Sequence, residues 1–110
     1  MVTWFTGNSG AGKTTLAKRL QEERGGILLD GDEMRTVWTD LGLSAADRVE
    51  QNLRVARLAK VLDKQGINVT VATICPYREL RAKVQRICGC QFRYVQGGQP
   101  PSDEYPYESS

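Results

Sequence analysis

The sequence has no histidine and only three cysteines, Cys75, Cys88 and Cys90. Without histidine, and without a second cysteine cluster, it offers no ligand set for zinc. An odd cysteine count, with two of them separated by one residue, makes no disulfide framework and points to a reducing compartment, so a cytoplasmic location is expected. No apolar run reaches membrane-spanning length, and the first residues lead into a strand-like segment rather than a signal peptide, so no membrane partner is expected. Charge is nearly balanced, with 15 Lys and Arg against 13 Asp and Glu; a net +2 is too small to argue for a nucleic-acid partner. No internal repeat or linker divides the 110 residues, which are enough for one small domain with one core.

What is present is a phosphate-binding pattern. Gly7, Asn8, Ser9, Gly10, Ala11, Gly12, Lys13 and Thr14 read GNSGAGKT and fit GxxxxGK[ST] at every fixed position. Such a pattern arises by chance in roughly one chain of this length in a few hundred, and here its context is also right. Residues 2–6 are β-branched and aromatic, as a buried strand should be, and residues 15–20 have helical spacing. In that context the glycines let the backbone approach an anion, and successive N–H groups cradle the β-phosphate. The helix N-terminus, reaching to Thr15, adds partial positive charge. Lys13 reaches the β/γ-phosphates and the Thr14 hydroxyl ligates Mg²⁺, so ATP and Mg²⁺ are the expected cofactors.

Strands and helices alternate along the rest of the chain. Helices are expected at 12–24, 33–41, 45–64 and from Pro76 to 87; strands at 2–6, 27–29, 67–74 and 91–95. Ser44 reads as the cap of the long helix, with Asp47 three residues on. Its apolar positions Leu53, Ala56, Leu58, Ala59, Val61 and Leu62 form a stripe. Trp4 and Trp38 are expected in or against the core. The pattern gives right-handed βαβ units in an α/β domain over residues 1–95, with ligands at the carboxyl ends of a parallel sheet. Residues 96–110, with two glycines, three prolines and no Lys or Arg, read as a loop or tail. An unpaired edge at the fourth strand makes a homodimer plausible.

The strand ends carry the remaining candidates. Asp30 and Asp32 are the only carboxylates at a strand end near the phosphate loop. One of them would hold a Mg²⁺ water or accept a proton from the acceptor; the alternative is a simple turn in which Asp32 caps the next helix. Arg35 and Arg48, near helix starts, can point over the strand ends toward an anion or lie solvated on the surface. Arg78 and Arg81 are a milder case of the same kind. Cys75 is either a small buried residue or a reactive thiol at a helix N-terminus.

In this order, GNSGAGKTTLA, LLDGDEMR, DLGLSAADR, VARLAKVLDKQGINVTVATICPYRELR and the late YPYE resemble the adenylylsulfate kinase family. These are P-loop kinases that phosphorylate the 3′-hydroxyl of adenylyl sulfate with MgATP. The resemblance spans about residues 3–95, with an echo at 105–108. It implies a three-layer P-loop kinase fold of about four strands, ordered 2-3-1-4, and a small anionic substrate. It further implies that residues 7–14 hold ATP phosphates and Mg²⁺, and that Asp30 or Asp32 serves the metal or the acceptor hydroxyl. Arg35 and Arg48 would hold the sulfate and phosphate end of the substrate. Gln51, in place of a family Asn, and the segment Ile74, Cys75, Pro76, Tyr77 and Arg78 would line its pocket. The chain departs from the family at Leu43, where a Phe stacks on adenine, at Leu53 for an Arg, and at Cys75 for a Ser. Residues 96–110 stand where the family carries a cationic lid, and a reduced-lid role for them is open. Alternative readings are a non-catalytic ATP- or ADP-binding module, a kinase of a different metabolite, and a trimmed chain.

Overall fold

The computed structural model describes residues 1–103 and 105–109; Glu104 and Ser110, both in the expected tail, lie outside the described residues. Four strands, β1 (Val2–Thr6), β2 (Ile27–Asp30), β3 (Val69–Ala72) and β4 (Gln91–Tyr94), pair in parallel in the order β2-β3-β1-β4. Parallel neighbours need crossovers. These are α1 (Lys13–Arg24), then α2 (Gly31–Val37) with α3 (Ala45–Lys64), then α4 (Arg78–Cys88).

Side chains alternate across the sheet because a strand has period two. Val2, Trp4, Leu29, Val69 and Val71 join one core cluster with Val55, Ala56 and Ala59 of α3 and Leu80 and Val84 of α4. Phe5 and Ala72 join the other, with Ala17 and Leu20 of α1. The result is three layers: α3 and α4, the sheet, and α1. Trp4 is fully buried at the centre, where truncation to Ala typically costs about 3–5 kcal/mol. Trp38 packs at the margin of the same cluster.

Several boundaries differ from the sequence expectation, each for a local reason. Strand β3 ends at Ala72 because the chain bends at Cys75, whose φ is 45°. Helix α2 starts at Gly31 because the carboxylate of Asp30 caps it. Helix α4 starts at Arg78, after Pro76, whose carbonyl accepts from the Glu108 N–H instead of from the helix. The stripe of α3 is largely the expected one: Leu53, Ala56 and Ala59 are buried and Leu58 and Leu62 pack against the core, with Val55 added and Val61 left out. Val55 is fully buried while Val61 is 52% exposed, and toward the helix start the stripe continues through Asn52, Gln51 and Arg48. That polar extension carries α3 into the site. Ser44 caps α3 as expected, accepting from the Asp47 N–H at 3.1 Å. Strand β4 is an edge with Gln91, Arg93 and Tyr94 exposed. Among the described residues no helix is long and apolar enough to cross a membrane.

Candidate active site

The loop Gly7 to Thr14 leaves β1 and turns directly into α1. Gly7, Gly10 and Gly12 all have positive φ, at 150°, 77° and 94°. At Gly7 space also demands glycine: a Cβ there would lie 2.5 Å from the Val95 carbonyl oxygen, at the end of β4. Gly12 is the N-cap of α1 and brings no side chain to cap the helix. The first-turn N–H groups of Lys13, Thr14 and Thr15 are therefore left for an anion. The Lys13 ammonium spans the loop and donates to the Asn8 carbonyl at 2.7 Å. Burial holds it below the usual lysine range, and the charges of Asp32 and Asp30 oppose part of that shift.

Asp30, at the end of β2, is buried and occupied on both oxygens. Oδ1 accepts from the Thr14 hydroxyl at 2.7 Å, and Oδ2 accepts from the N–H groups of Asp32 at 3.2 Å and Glu33 at 3.4 Å. The cap of α2 is thus Asp30, not Asp32 as the turn reading had it. Asp32 is left exposed at the cavity mouth. The Thr14 and Asp30 oxygens fit Mg²⁺ in chemistry and spacing. Both are hard oxygen donors, and 2.7 Å is near the roughly 3 Å between adjacent ligands of an octahedral Mg²⁺ with bonds of about 2.1 Å.

Facing the loop is a cavity of about 130 Å³. It has room for a phosphoryl- or sulfate-sized group and is open to solvent beyond that. Ser9, Lys13 and Thr14 of the loop line it, with Asp30, Asp32 and Arg35 from the end of β2 and α2, Arg48 and Gln51 from α3, and Ile74 and Cys75 from the segment after β3. The remaining loop residues and Thr15 shape the loop without lining this cavity. Tyr77 is not brought to it either: it is the N-cap residue of α4 and packs against the core. Gln51 donates to the Gly31 carbonyl at 3.0 Å and so ties α3 to the start of α2. Arg35 Nε is buried with no hydrogen-bond partner among the described residues. Arg48 is buried, with its guanidinium 5.7 Å from the ring centre of Tyr105. Cys75 is fully buried, and burial pushes its thiol up to about 12. It is therefore a packed wall residue and not a reactive nucleophile.

Two sets of contacts, one behind this wall and one on the phosphate loop, escaped the sequence reading. The first is a buried chain of hydrogen bonds. The Trp4 indole donates to Thr73 Oγ1 at 2.9 Å, Thr73 donates to Asn52 Oδ1 at 2.7 Å, and Asn52 Nδ2 donates to the Arg48 carbonyl at 2.8 Å. It links the sheet centre to the α3 turn that presents Arg48. The second is the tail. Gln99 N–H donates to the Ser9 carbonyl at 2.9 Å, and Asn8 Nδ2 donates to the Gln99 carbonyl at 2.8 Å. A Cβ on Gly98 would lie 2.5 Å from the Ser9 oxygen and 2.7 Å from the Ala11 nitrogen. The pair Gly97 and Gly98 was the one local signal of this close approach.

The adenylylsulphate kinase family profile matches residues 1–97. An adenylyl-sulfate kinase of Geotalea daltonii is 46% identical over 93 residues, covering 79% of this chain and 46% of that protein. A hexameric APS kinase of Thiobacillus denitrificans superposes with a TM-score of 0.81 at 33% identity, over 99% of this chain and 23% of that one. The Mycobacterium tuberculosis APS kinase CysC, in complex with AMPPNP and APS, gives 0.70 at 39% identity, over 84% and 59%. The chain spans about half the length of the curated relatives it matches. The matched stretch runs through the sheet, the phosphate loop and the wall across from it, and on that ground the chain belongs to the adenylylsulfate kinase family.

Proposed function

We propose that the chain acts as an ATP-dependent kinase, transferring the γ-phosphate of ATP to a hydroxyl of adenylyl sulfate or a similar small anionic acceptor in the cytoplasm. One observation carries this reading: residues of the phosphate loop, the carboxylates Asp30 and Asp32, and two largely buried arginines, Arg35 and Arg48, line a single cavity together. A module that only bound ATP would need the loop alone. The buried Arg35 Nε without a partner is the state expected of a donor that meets an anionic ligand, since buried polar groups otherwise find partners within the protein.

In this mechanism the loop amides and Lys13 bear the charge of the ATP phosphates. Thr14 and Asp30 would hold Mg²⁺, which when bound neutralises further phosphate charge. Arg35 and Arg48 orient the acceptor. Asp32, unlike Asp30, has a carboxylate free to turn toward the acceptor hydroxyl and take its proton as the oxygen attacks the γ-phosphorus and ADP leaves. Leu43 favours a second reading. It is 48% exposed and offers no aromatic face for an adenine, which suits an acceptor without a base.

The test is ATP consumption by purified protein with Mg²⁺, with and without adenylyl sulfate, using Lys13→Ala as the blank. Acceptor-dependent consumption that is lost in the variant is expected. ATP binding without acceptor-dependent turnover would overturn the acceptor assignment, and a screen of other hydroxyl-bearing metabolites would then decide the second reading.

A further inference from the structure

Three consecutive carbonyls of the cavity wall, those of Ile74, Cys75 and Pro76, are each held from behind. The Ile74 oxygen accepts from the Thr6 hydroxyl, the Cys75 oxygen from Arg81 Nη1 at 2.8 Å, and the Pro76 oxygen from the Glu108 N–H at 2.7 Å. The middle residue has a left-handed backbone, φ 45° at Cys75, a conformation that a non-glycine residue keeps only when its surroundings hold it.

All three anchors lead to the tail. The Thr6 hydroxyl has one proton, already given to Ile74, so it is the Tyr107 hydroxyl that donates to Thr6, at 3.1 Å. Arg81 Nη2 donates to the Glu108 carbonyl, and its guanidinium lies 4.7 Å from the Tyr107 ring centre. Glu108 also caps α4, accepting from the Arg78 N–H at 2.9 Å. Arg81 itself is buried on α4. Among the described residues it pairs with no carboxylate, only with two carbonyls and a ring. A buried cation so placed is poorly explained by packing, which an apolar side chain would serve at least as well. The fixed fork of a guanidinium is suited to holding two carbonyls in one geometry.

We infer that Arg81 is a positioning residue for the acceptor site: it clamps the Cys75 carbonyl to tail residues Tyr107 and Glu108 and so holds the wall in its bent form. The clamp makes the tail part of the acceptor half of the site without contact with the reacting atoms. The kinetic side of this inference rests on the kinase reading above; the structural side does not.

The test uses the full chain and the variants Arg81→Met, Arg81→Lys and Tyr107→Leu, with two readouts. The first is steady-state kinetics for both substrates. Arg81→Met raises the KM for adenylyl sulfate by about tenfold or more, while the KM for ATP stays within about twofold. Arg81→Lys recovers part of that loss, because an ammonium keeps the charge and the donors but lacks the rigid fork that fixes two carbonyls in one geometry. The second readout is the alkylation rate of each cysteine by a maleimide, resolved by mass spectrometry. In the wild type all three cysteines are buried. Releasing the clamp makes Cys75 react faster by about tenfold or more, with Cys88 and Cys90 still protected. If the wild type does not phosphorylate adenylyl sulfate, the kinase reading falls, and the Cys75 rates decide the clamp alone. If Arg81→Met exposes all three cysteines it has unfolded, and Tyr107→Leu decides instead. Unchanged Cys75 protection in a folded variant, with an unchanged acceptor KM, overturns the inference.

Discussion

The two halves of the cavity are made in different ways. The half that the proposed function assigns to the nucleotide is the loop of eight consecutive residues, Gly7 to Thr14, of which Ser9, Lys13 and Thr14 line the cavity, and its expected donors are mostly backbone N–H groups at the start of α1. The acceptor half is gathered from α2, α3, the segment after β3, and the tail behind it, by side chains and their buried partners. The first half is laid out locally, by a strand that enters it, a helix that follows it and glycines where φ is positive, with Val95 and Gln99 packed against it from outside. The second takes its geometry from contacts tens of residues apart, such as Trp4 to Thr73 and Arg81 to Glu108. Disturbing the core should therefore injure the acceptor half first, whereas disturbing the loop should injure nucleotide binding with little effect on the wall.

The largest effects are expected where the halves meet, at two carboxylates with unlike surroundings. Asp32 is exposed and Asp30 is buried under three donors. Asp32→Ala should lower turnover by about 100-fold or more, the usual range for losing a general base, with a smaller change in ATP affinity. Asp30→Ala should instead weaken ATP–Mg²⁺ binding and lower stability by about 1 kcal/mol, the worth of a helix cap. Measuring kcat, ATP affinity and a denaturation midpoint for both variants checks the contrast. Equal loss of turnover and ATP affinity in Asp32→Ala would reduce Asp32 to a supporting residue.

Next in size is the dependence of the acceptor half on the core. Thr73→Val keeps the shape of the side chain but leaves the Trp4 indole and Asn52 Oδ1 without their partner. Each buried group so orphaned costs about 1–3 kcal/mol. For a domain of this size, the thermal midpoint should fall by on the order of 10 °C. The acceptor KM should rise with it, since Asn52 also holds the Arg48 carbonyl, while ATP affinity in the folded protein stays near wild type. A loss of ATP affinity as large as the loss for the acceptor would erase the proposed difference between the halves.

The same difference decides what was legible in the amino-acid order. The phosphate loop is a local code, so Gly7 to Thr14, β1 and the end of α1 at Arg24 could be read with correct bounds. Capping made the start of α3 readable from Ser44. The strand order came through the resemblance to the kinase family, and the sheet has it. Asp30 and Asp32 were correctly placed at a strand end, but which of them caps α2 depends on where the Thr14 hydroxyl lies, sixteen residues away. Asn52, Thr73 and Thr6 look like ordinary polar residues in sequence, and Arg81, expected over an anion or on the surface, is instead buried on two carbonyls. Their roles exist only once the sheet brings β1 beside β3 and the tail returns to α4. Tyr77 followed from likeness of motif, and the local turn directs it to the core.

The smallest effect separates the nucleotide half from everything else by pH. Burial holds the Lys13 ammonium below its ordinary value of 10.5, so in the window just below 10.5 the unfolded chain binds more protons than the folded one. Stability rises with pH wherever that is so. The wild type without nucleotide should therefore gain stability relative to Lys13→Ala as pH rises through the folded pKa toward 10.5, the charge penalty being full below that window. Nucleotide affinity should run the other way: the phosphates require the ammonium, so ATP binding weakens by a few-fold as Lys13 deprotonates, with no such slope in Lys13→Ala. Denaturation and ATP titrations of the two proteins across this range would give opposite slopes, each tied to one side chain. Parallel slopes would mean that the charge of Lys13 is spent on the fold and not on the phosphate site.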